Sequence, residues 1–200
     1  SFLDAAPPGF SQAVRRGILW NRRALMRRLM LLRHAKSDWS TPGMRDQDRS
    51  LSVRGRESAP RMGTYMARHG LIPDLVVASP AARVTETLAL VLPAFAKQPK
   101  TVPDARIYES SADELLSVIT GTPRSVHSLL MVGHNPSLAE LASLLMASGD
   151  VETRQRLIEK FPTAALAVID FALDDWGKIH PKSGRLDRFV IPKALDSETD

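Results

Sequence analysis

The sequence contains no cysteine. That removes disulfides, thiolate metal sites and a cysteine nucleophile from consideration. It also fits a reducing compartment, so a cytoplasmic location is expected. No uninterrupted apolar run approaches the ~20 residues a membrane-spanning helix needs. No Gly-x-Gly-x-x-Gly or Walker-type loop is present, which leaves nucleotide-dependent kinase or dehydrogenase chemistry without support. Carboxylates do not cluster as a dinuclear metal site would require. Asp46 and Asp48 lack the Gly and closing Glu of a calcium loop, and His69, His127 and His180 show no ligand spacing, which leaves them structural or surface roles. Neither a metal nor a cofactor is expected.

What is present is ordinary for a folded protein: 200 residues, 44% hydrophobic and 24% charged. One domain with a substantial core is the natural reading. The net charge of +5 is unevenly placed. Residues 1–28 hold six of the 27 basic and one of the 22 acidic side chains, leaving 21 of each for the remainder. A neutral body does not offer the basic face that nucleic-acid binding asks for. The arginine-rich leader, residues 1–27, reads either as an extension before Met26 without a role of its own, or as an amphipathic helix for an anionic membrane or organelle targeting.

From Leu29 the pattern is regular. Leu29-Met30-Leu31-Leu32 is a short apolar run of the kind buried on both faces of a parallel sheet. A polar loop runs to about Ser50, and helical spacing through Ala59, Met62, Tyr65 and Met66 ends at Gly70. Asp74–Ser79 reads as a strand, with Pro80 opening a helix to about Phe95. Thr101–Tyr108 is a third strand. A helix capped by Ser111 or Asp113 runs to Ile119. Ser128–Val132 is a further strand, followed by a helix from Pro136 through Met146 and another near Thr153–Phe161. Ala165–Phe171 and Arg188–Ile191 close the pattern. Alternating strands and helices imply an α/β fold, a three-layer α/β/α sandwich with a mostly parallel central sheet.

Ligands of such sheets sit at the carboxyl ends of the strands. The first strand delivers Arg33-His34, the second Ser79-Pro80 with Arg83 one turn later, and the fourth Gly133-His134-Asn135. Two histidines and two arginines converging on one crevice suit a phosphoryl group. Arginine forks match phosphate oxygens, and an imidazole can attack phosphorus or donate hydrogen bonds. Phosphoryl transfer asks mainly for positioning and charge neutralisation, which this set supplies.

The stretches Leu-Leu-Arg33-His34-Ala-Lys-Ser, Ser79-Pro80-Ala-Ala-Arg83-Val-Thr-Glu-Thr87 and Val-Gly133-His134-Asn135-Pro resemble the histidine phosphatase (phosphoglycerate mutase-like) superfamily. Ser37-Asp-Trp-Ser40, Asp48-Arg49-Ser-Leu-Ser-Val-Arg54-Gly55-Arg56 and Phe161-Pro162-Thr163-Ala-Ala-Leu-Ala are similar to its compact bacterial branch, the SixA-type phosphohistidine phosphatases. The resemblance covers about residues 28–192, leaving a polar tail at 193–200. It implies that His34 is the nucleophile that becomes phosphorylated. Arg33 and Arg83 then clamp the phosphate, and His134 hydrogen-bonds the phosphoryl oxygens. Ser40 falls where relatives place a small polar phosphate contact. At position 35 this chain has Ala where the commonest motif has Gly. Glu109 is the best-placed candidate for the acid that relatives use to protonate an alkoxide leaving group.

These readings leave three functions. The first is a metal-independent phosphatase acting through His34 on phosphohistidine of a partner protein. Imidazole, with a conjugate-acid pKa near ~6.5, leaves with little help, so this function does not require Glu109. The second is a small phosphate-ester or sugar-phosphate phosphatase using Glu109 as acid. The third is a non-catalytic phosphate-binding module tethered by the basic leader. Since His34 must be unprotonated to attack, activity is expected to fall at low pH from an ordinary histidine value near ~6.5. Oligomeric state is not readable from these features.

Overall fold

The structure, a computed structural model, describes residues 25–195. The expectations placed on residues 1–24 and 196–200 lie outside the described residues. The apolar run becomes strand β1, Arg27–Arg33. It alternates between two cores: Leu29 and Leu31 pack into one hydrophobic cluster, Met30 and Leu32 into the other. The stretch buried on both faces, Leu29–Leu32, is apolar at every position, and arginines stand at the two ends of the strand.

The remaining strands are β2 (Leu75–Ala78), β3 (Lys100–Pro103), β4 (Ser128–Gly133), β5 (Met146–Gly149), β6 (Leu166–Phe171) and β7 (Gly184–Val190). They form one sheet in the order β3-β2-β4-β1-β6-β7-β5. Only β6 runs against the others, pairing antiparallel with both β1 and β7. Helices α1 (Val53–Arg68), α2 (Ala82–Val91) and α6 (Pro192–Leu195) cover one face. On the other lie α3 (Ala112–Thr120), α4 (Ser137–Leu145) and α5 (Val151–Glu159). The fold is the three-layer α/β sandwich. Its packed part starts at Arg27 and takes in Leu195, which is buried in the α1–α2 core.

Local chemistry explains the boundaries. Ser111 caps α3 through a reciprocal capping box with Glu114. Asp150 caps α5 by accepting from Thr153 N–H. The third strand is shorter than expected from sequence. It ends at Pro103, after which the Asp104 side chain accepts from Arg106 N–H and winds Ala105–Ile107 into a 3-10 turn. Periodicity over 101–108 does not register that cap. Strand β5 was not anticipated either. Met-Ala-Ser-Gly carries no strand pattern, and it is extended because it pairs with β7.

Register levels the strand ends. In the parallel β1–β4 pair Arg33 lies opposite Gly133, and in β2–β4 Ala78 lies opposite Val132. The pairing carries one residue further, with His34 N–H donating to the Gly133 carbonyl at 3.1 Å and Ser79 N–H to Val132 at 3.1 Å. The connection from β1 to α1 is pinned at its base by Ser52, whose N–H and hydroxyl both donate to the Lys36 carbonyl at 2.8 and 3.1 Å. Gly55 makes that contact possible, because a Cβ there would run into the Lys36 carbonyl oxygen. Gly55→Ala is therefore expected to lower stability by about 1–3 kcal/mol, the range for overpacking. Gly121→Ala, where the nearest atom is 3.4 Å away, is expected to stay within about 0.5 kcal/mol. Urea denaturation of both variants checks this.

Candidate active site

Three loops leaving β1, β2 and β4 bring His34, Arg83 and His134 into contact. The two imidazoles have ring centroids 5.2 Å apart, and Arg83 Nη2 donates to His134 Nδ1 at 3.2 Å. All three residues are buried. Arg33, half-buried at the end of β1, adds a fourth positive or polar group close enough to depress both histidines.

Hydrogen-bond partners fix the tautomers. His34 Nδ1 lies 2.7 Å from the Ala35 carbonyl, which can only accept, so Nδ1 carries the proton and Nε2 keeps its lone pair. Nε2 makes no hydrogen bond to a described residue. In His134 the assignment is reversed, because Arg83 can only donate. Nδ1 therefore accepts, and Nε2–H donates to Ser79 Oγ at 2.7 Å. Burial pushes His34 down to about 3, with the charges of His134, Arg83 and Arg33 adding to the effect. His134 is lowered to about 4 by burial and then by Arg83. Both rings are neutral at pH 7.

The arginines are held differently. Arg83 Nη1 donates to the Asp46 carbonyl at 2.7 Å and Nη2 to Asp46 Oδ2 at 2.9 Å, so this guanidinium has a carboxylate partner. Arg33 has none. Its Nη1 donates to the Phe161 carbonyl at 2.9 Å, while Nε is buried without a partner. Burial and the Arg83 charge press its guanidinium below the usual range. A half-buried cation with a buried spare donor is stabilised by an anion placed against it. Chemically, such a cluster can receive a dianion, and it holds an unprotonated imidazole nitrogen on His34.

Support comes from residues sequence reasoning did not select. Thr87 Oγ accepts from Ala35 N–H at 3.0 Å and donates to the Arg83 carbonyl at 2.6 Å, tying the loop after His34 to α2. Asn135 Nδ2 donates to the same Phe161 carbonyl that Arg33 uses. Asp46, set aside as a calcium ligand, stands beside Arg83 and also accepts from Tyr108 Oη at 2.8 Å. Partial burial works to raise the Asp46 carboxyl, but the Tyr108 and Arg83 hydrogen bonds and the Arg83 charge outweigh it and hold it low. Arg49 lies over the exposed Trp39 ring at 4.2 Å, with Nε 4.0 Å from Asp46 Oδ1 and with Nε and Nη1 buried without a hydrogen bond to a described residue. Spacing alone gives no signal for Asp46, since its partners are 37 and 62 residues away.

Two sequence candidates stand apart. Ser40 is exposed, its N–H donating to Asp38 Oδ1 at 2.8 Å, and no contact joins it to the cluster. Glu109 is exposed in a left-handed backbone conformation, φ 52°, and makes no hydrogen bond or ion pair with a described residue. Among the described residues no three His, Asp or Glu side chains gather in a way that could hold a metal ion. No helix among them is long and apolar enough to cross a membrane.

The profile of the histidine phosphatase superfamily (branch 1) matches residues 29–115. An uncharacterised protein of Mycobacterium tuberculosis (strain CDC 1551 / Oshkosh) is 32% identical over 165 residues, covering 81% of this chain and all of that protein. A crystal structure assigned to the phosphohistidine phosphatase SixA of Agrobacterium tumefaciens is 30% identical. It covers 83% of this chain and 98% of its own, with a TM-score of 0.68. This chain belongs to the histidine phosphatase superfamily, in its SixA-type branch. A structure assigned likewise from Nakamurella multipartitia shares the fold at 24% identity and TM-score 0.71, covering 84% of this chain and 96% of its own. Membership makes the chain a phosphatase acting on phosphorylated substrates.

The lowered histidines replace the expected acid limb near ~6.5, the ordinary histidine value, with a lower one. For this histidine phosphatase, kcat/KM reports groups of the free enzyme. It is expected to stay level from pH 8 to about 5 once the substrate's own ionisation is divided out. It then falls as His134 and His34 titrate through about 4 and about 3. Stability has its own window. Between the unfolded histidine value of ~6.5 and those native values the unfolded chain binds more protons, so stability present above that value is lost as pH falls. Chemical denaturation at pH 7, 5 and 4 is expected to show that decline. His34→Asn should remove part of it.

Proposed function

We propose that this phosphatase removes the phosphoryl group from phosphohistidine on a partner protein, without a metal ion, through a phosphohistidine formed on His34. The observation that carries the reading is the His34 ring. It is neutral, with Nδ1–H tied to the Ala35 carbonyl and Nε2 left with its lone pair, in a cluster with Arg33, whose buried Nε has no hydrogen-bond partner among the described residues. In this reading Nε2 attacks phosphorus as the P–N bond of the substrate breaks, and the departing imidazole keeps the electron pair. In the same reading Arg33 and Arg83 neutralise the phosphoryl oxygens, and His134 contributes a hydrogen bond once its Nε2–H exchanges Ser79 Oγ for a phosphoryl oxygen. Water then attacks phosphorus, the P–Nε2 bond breaks, and His34 is regenerated with release of phosphate.

Two features support a phosphohistidine substrate over a small ester. An alkoxide leaves only with a proton, yet Glu109 touches none of the four pocket residues and Asp46 is held in its ionised form by two donors. The connections at this end of the sheet include 34–52, 79–81, 104–111, 134–136 and 160–165, and none of these builds a domain able to enclose a small molecule. A side chain presented by another protein reaches such a pocket. The neighbour from Agrobacterium tumefaciens carries an assignment to the same activity.

Phosphate release from a histidine-phosphorylated protein, an aryl phosphate and an alkyl phosphate, measured side by side, tests the reading. The expected order of kcat/KM places phosphohistidine first and the alkyl ester last. His34→Ala should abolish all three, and Glu109→Gln should change phosphohistidine turnover by less than about twofold, as for a residue outside the transition state. Preference for the alkyl ester, collapsing in Glu109→Gln, would replace the proposal with a small-ester phosphatase.

A further inference from the structure

Asp46 lies where no acid or base was sought. Among the described residues it is the carboxylate that pairs with any of Arg33, His34, Arg83 or His134. It sits on a short 3-10 turn, Asp46–Asp48, within the long connection after β1. Arg83 grips it at two points, the carbonyl and Oδ2, while Tyr108 Oη donates to the same Oδ2. The Tyr108 ring in turn stands edge-on to His134 at 5.5 Å. The Asp46 side chain nevertheless remains 44% exposed, unlike Arg83 beside it at 10%. One carboxylate thus spans the boundary between the buried phosphate pocket and solvent.

That boundary is where a leaving group must be. His34 approaches phosphorus from the buried side, and in-line displacement sends the departing atom to the opposite side, outward. We propose that Asp46 is a specificity-determining residue that accepts a hydrogen bond from the distal ring N–H of the phosphohistidine being cleaved. The inference rests on the phosphohistidine reading above. A phosphohistidine ring protonated on its distal nitrogen departs as neutral imidazole: the P–N electron pair returns to the ring, the distal proton stays where it was, and no acid is required. A carboxylate accepting that N–H stabilises the reactive, protonated form of the substrate. The same carboxylate offers nothing to an alkoxide. With Arg83 and Tyr108 already donating to it, Asp46 stays ionised, and an ester whose oxygen needs a proton finds only an acceptor. Asp46 therefore favours one substrate class and disfavours the other through a single charge. Substrates with a further anionic group near the phosphate are repelled by it as well.

The competing role is purely structural, with Asp46 only holding Arg83 in place. The two roles separate on substrate. Asp46→Asn is compared with the wild type on a phosphohistidine peptide and on p-nitrophenyl phosphate, whose leaving group needs no proton and carries no N–H. The expected result is a loss of about tenfold in kcat/KM for the peptide, the scale of one charge-assisted hydrogen bond. For the nitrophenyl ester the loss should be under about threefold, since no interaction specific to its transition state is removed. The ratio of the two values in one preparation is independent of how much of the variant is folded. Equal losses on both substrates would assign Asp46 to holding Arg83 and overturn the inference alone. Unchanged kinetics on both would overturn it too. A wild type that turns over the ester but not the peptide would instead remove the phosphohistidine reading, and the inference with it.

Discussion

The parallel pairing of β1 with β4 is the constraint on which the pocket depends. Because Arg33 is opposite Gly133, the next residue on each strand is a histidine, and the two rings meet at 5.2 Å without any long-range search by flexible loops. Burial of that strand end does the rest. It strips water from both imidazoles and keeps them neutral. It also leaves Arg33 with a charge that no carboxylate among the described residues answers. Neutral imidazole and unanswered cation are thus two results of one packing arrangement, and together they suit a phosphoryl dianion.

Neutrality has a direct chemical use. A protonated His34 could not attack phosphorus, and a cluster of two arginines and two charged histidines would be hard to keep folded. Desolvation resolves both difficulties at once, and the tautomer is set by geometry: Nδ1–H of His34 meets the Ala35 carbonyl, so the lone pair is left on Nε2. Thr87 reinforces this by anchoring Ala35 to the helix that carries Arg83, which ties the two parts of the cluster together.

Much of this was legible in the sequence, for a physical reason. β1, β2 and β4 are buried on both faces, and continuous apolar runs announce such strands and hence the residues that follow them. Arg33, His34, Arg83 and His134 could therefore be placed on one crevice before any coordinates. Asp46 could not, because nothing local distinguishes a surface aspartate on a polar turn from one that reaches 37 residues along the chain to Arg83. The end of the third strand was misplaced at Tyr108: the Asp104 cap turns the chain after Pro103, and Glu109 beyond that turn is exposed. β5 is extended only because β7 is beside it, a cause no window of sequence contains.

The connection between β1 and α1 divides labour within one stretch of chain. Its two ends are locked, by the Gly133 carbonyl behind His34 and by the Lys36 carbonyl under Ser52, while residues 38–48 carry exposed side chains over no core. Apart from Asp46, which holds Arg83, substitutions there disturb no core, yet they alter the loop that leaves His34. The arrangement makes the chemistry hereditary and the clientele negotiable. Descendants of such a chain can change which phosphorylated groups they accept by mutating a surface turn, with the nucleophile, its tautomer and the sheet that creates both left untouched.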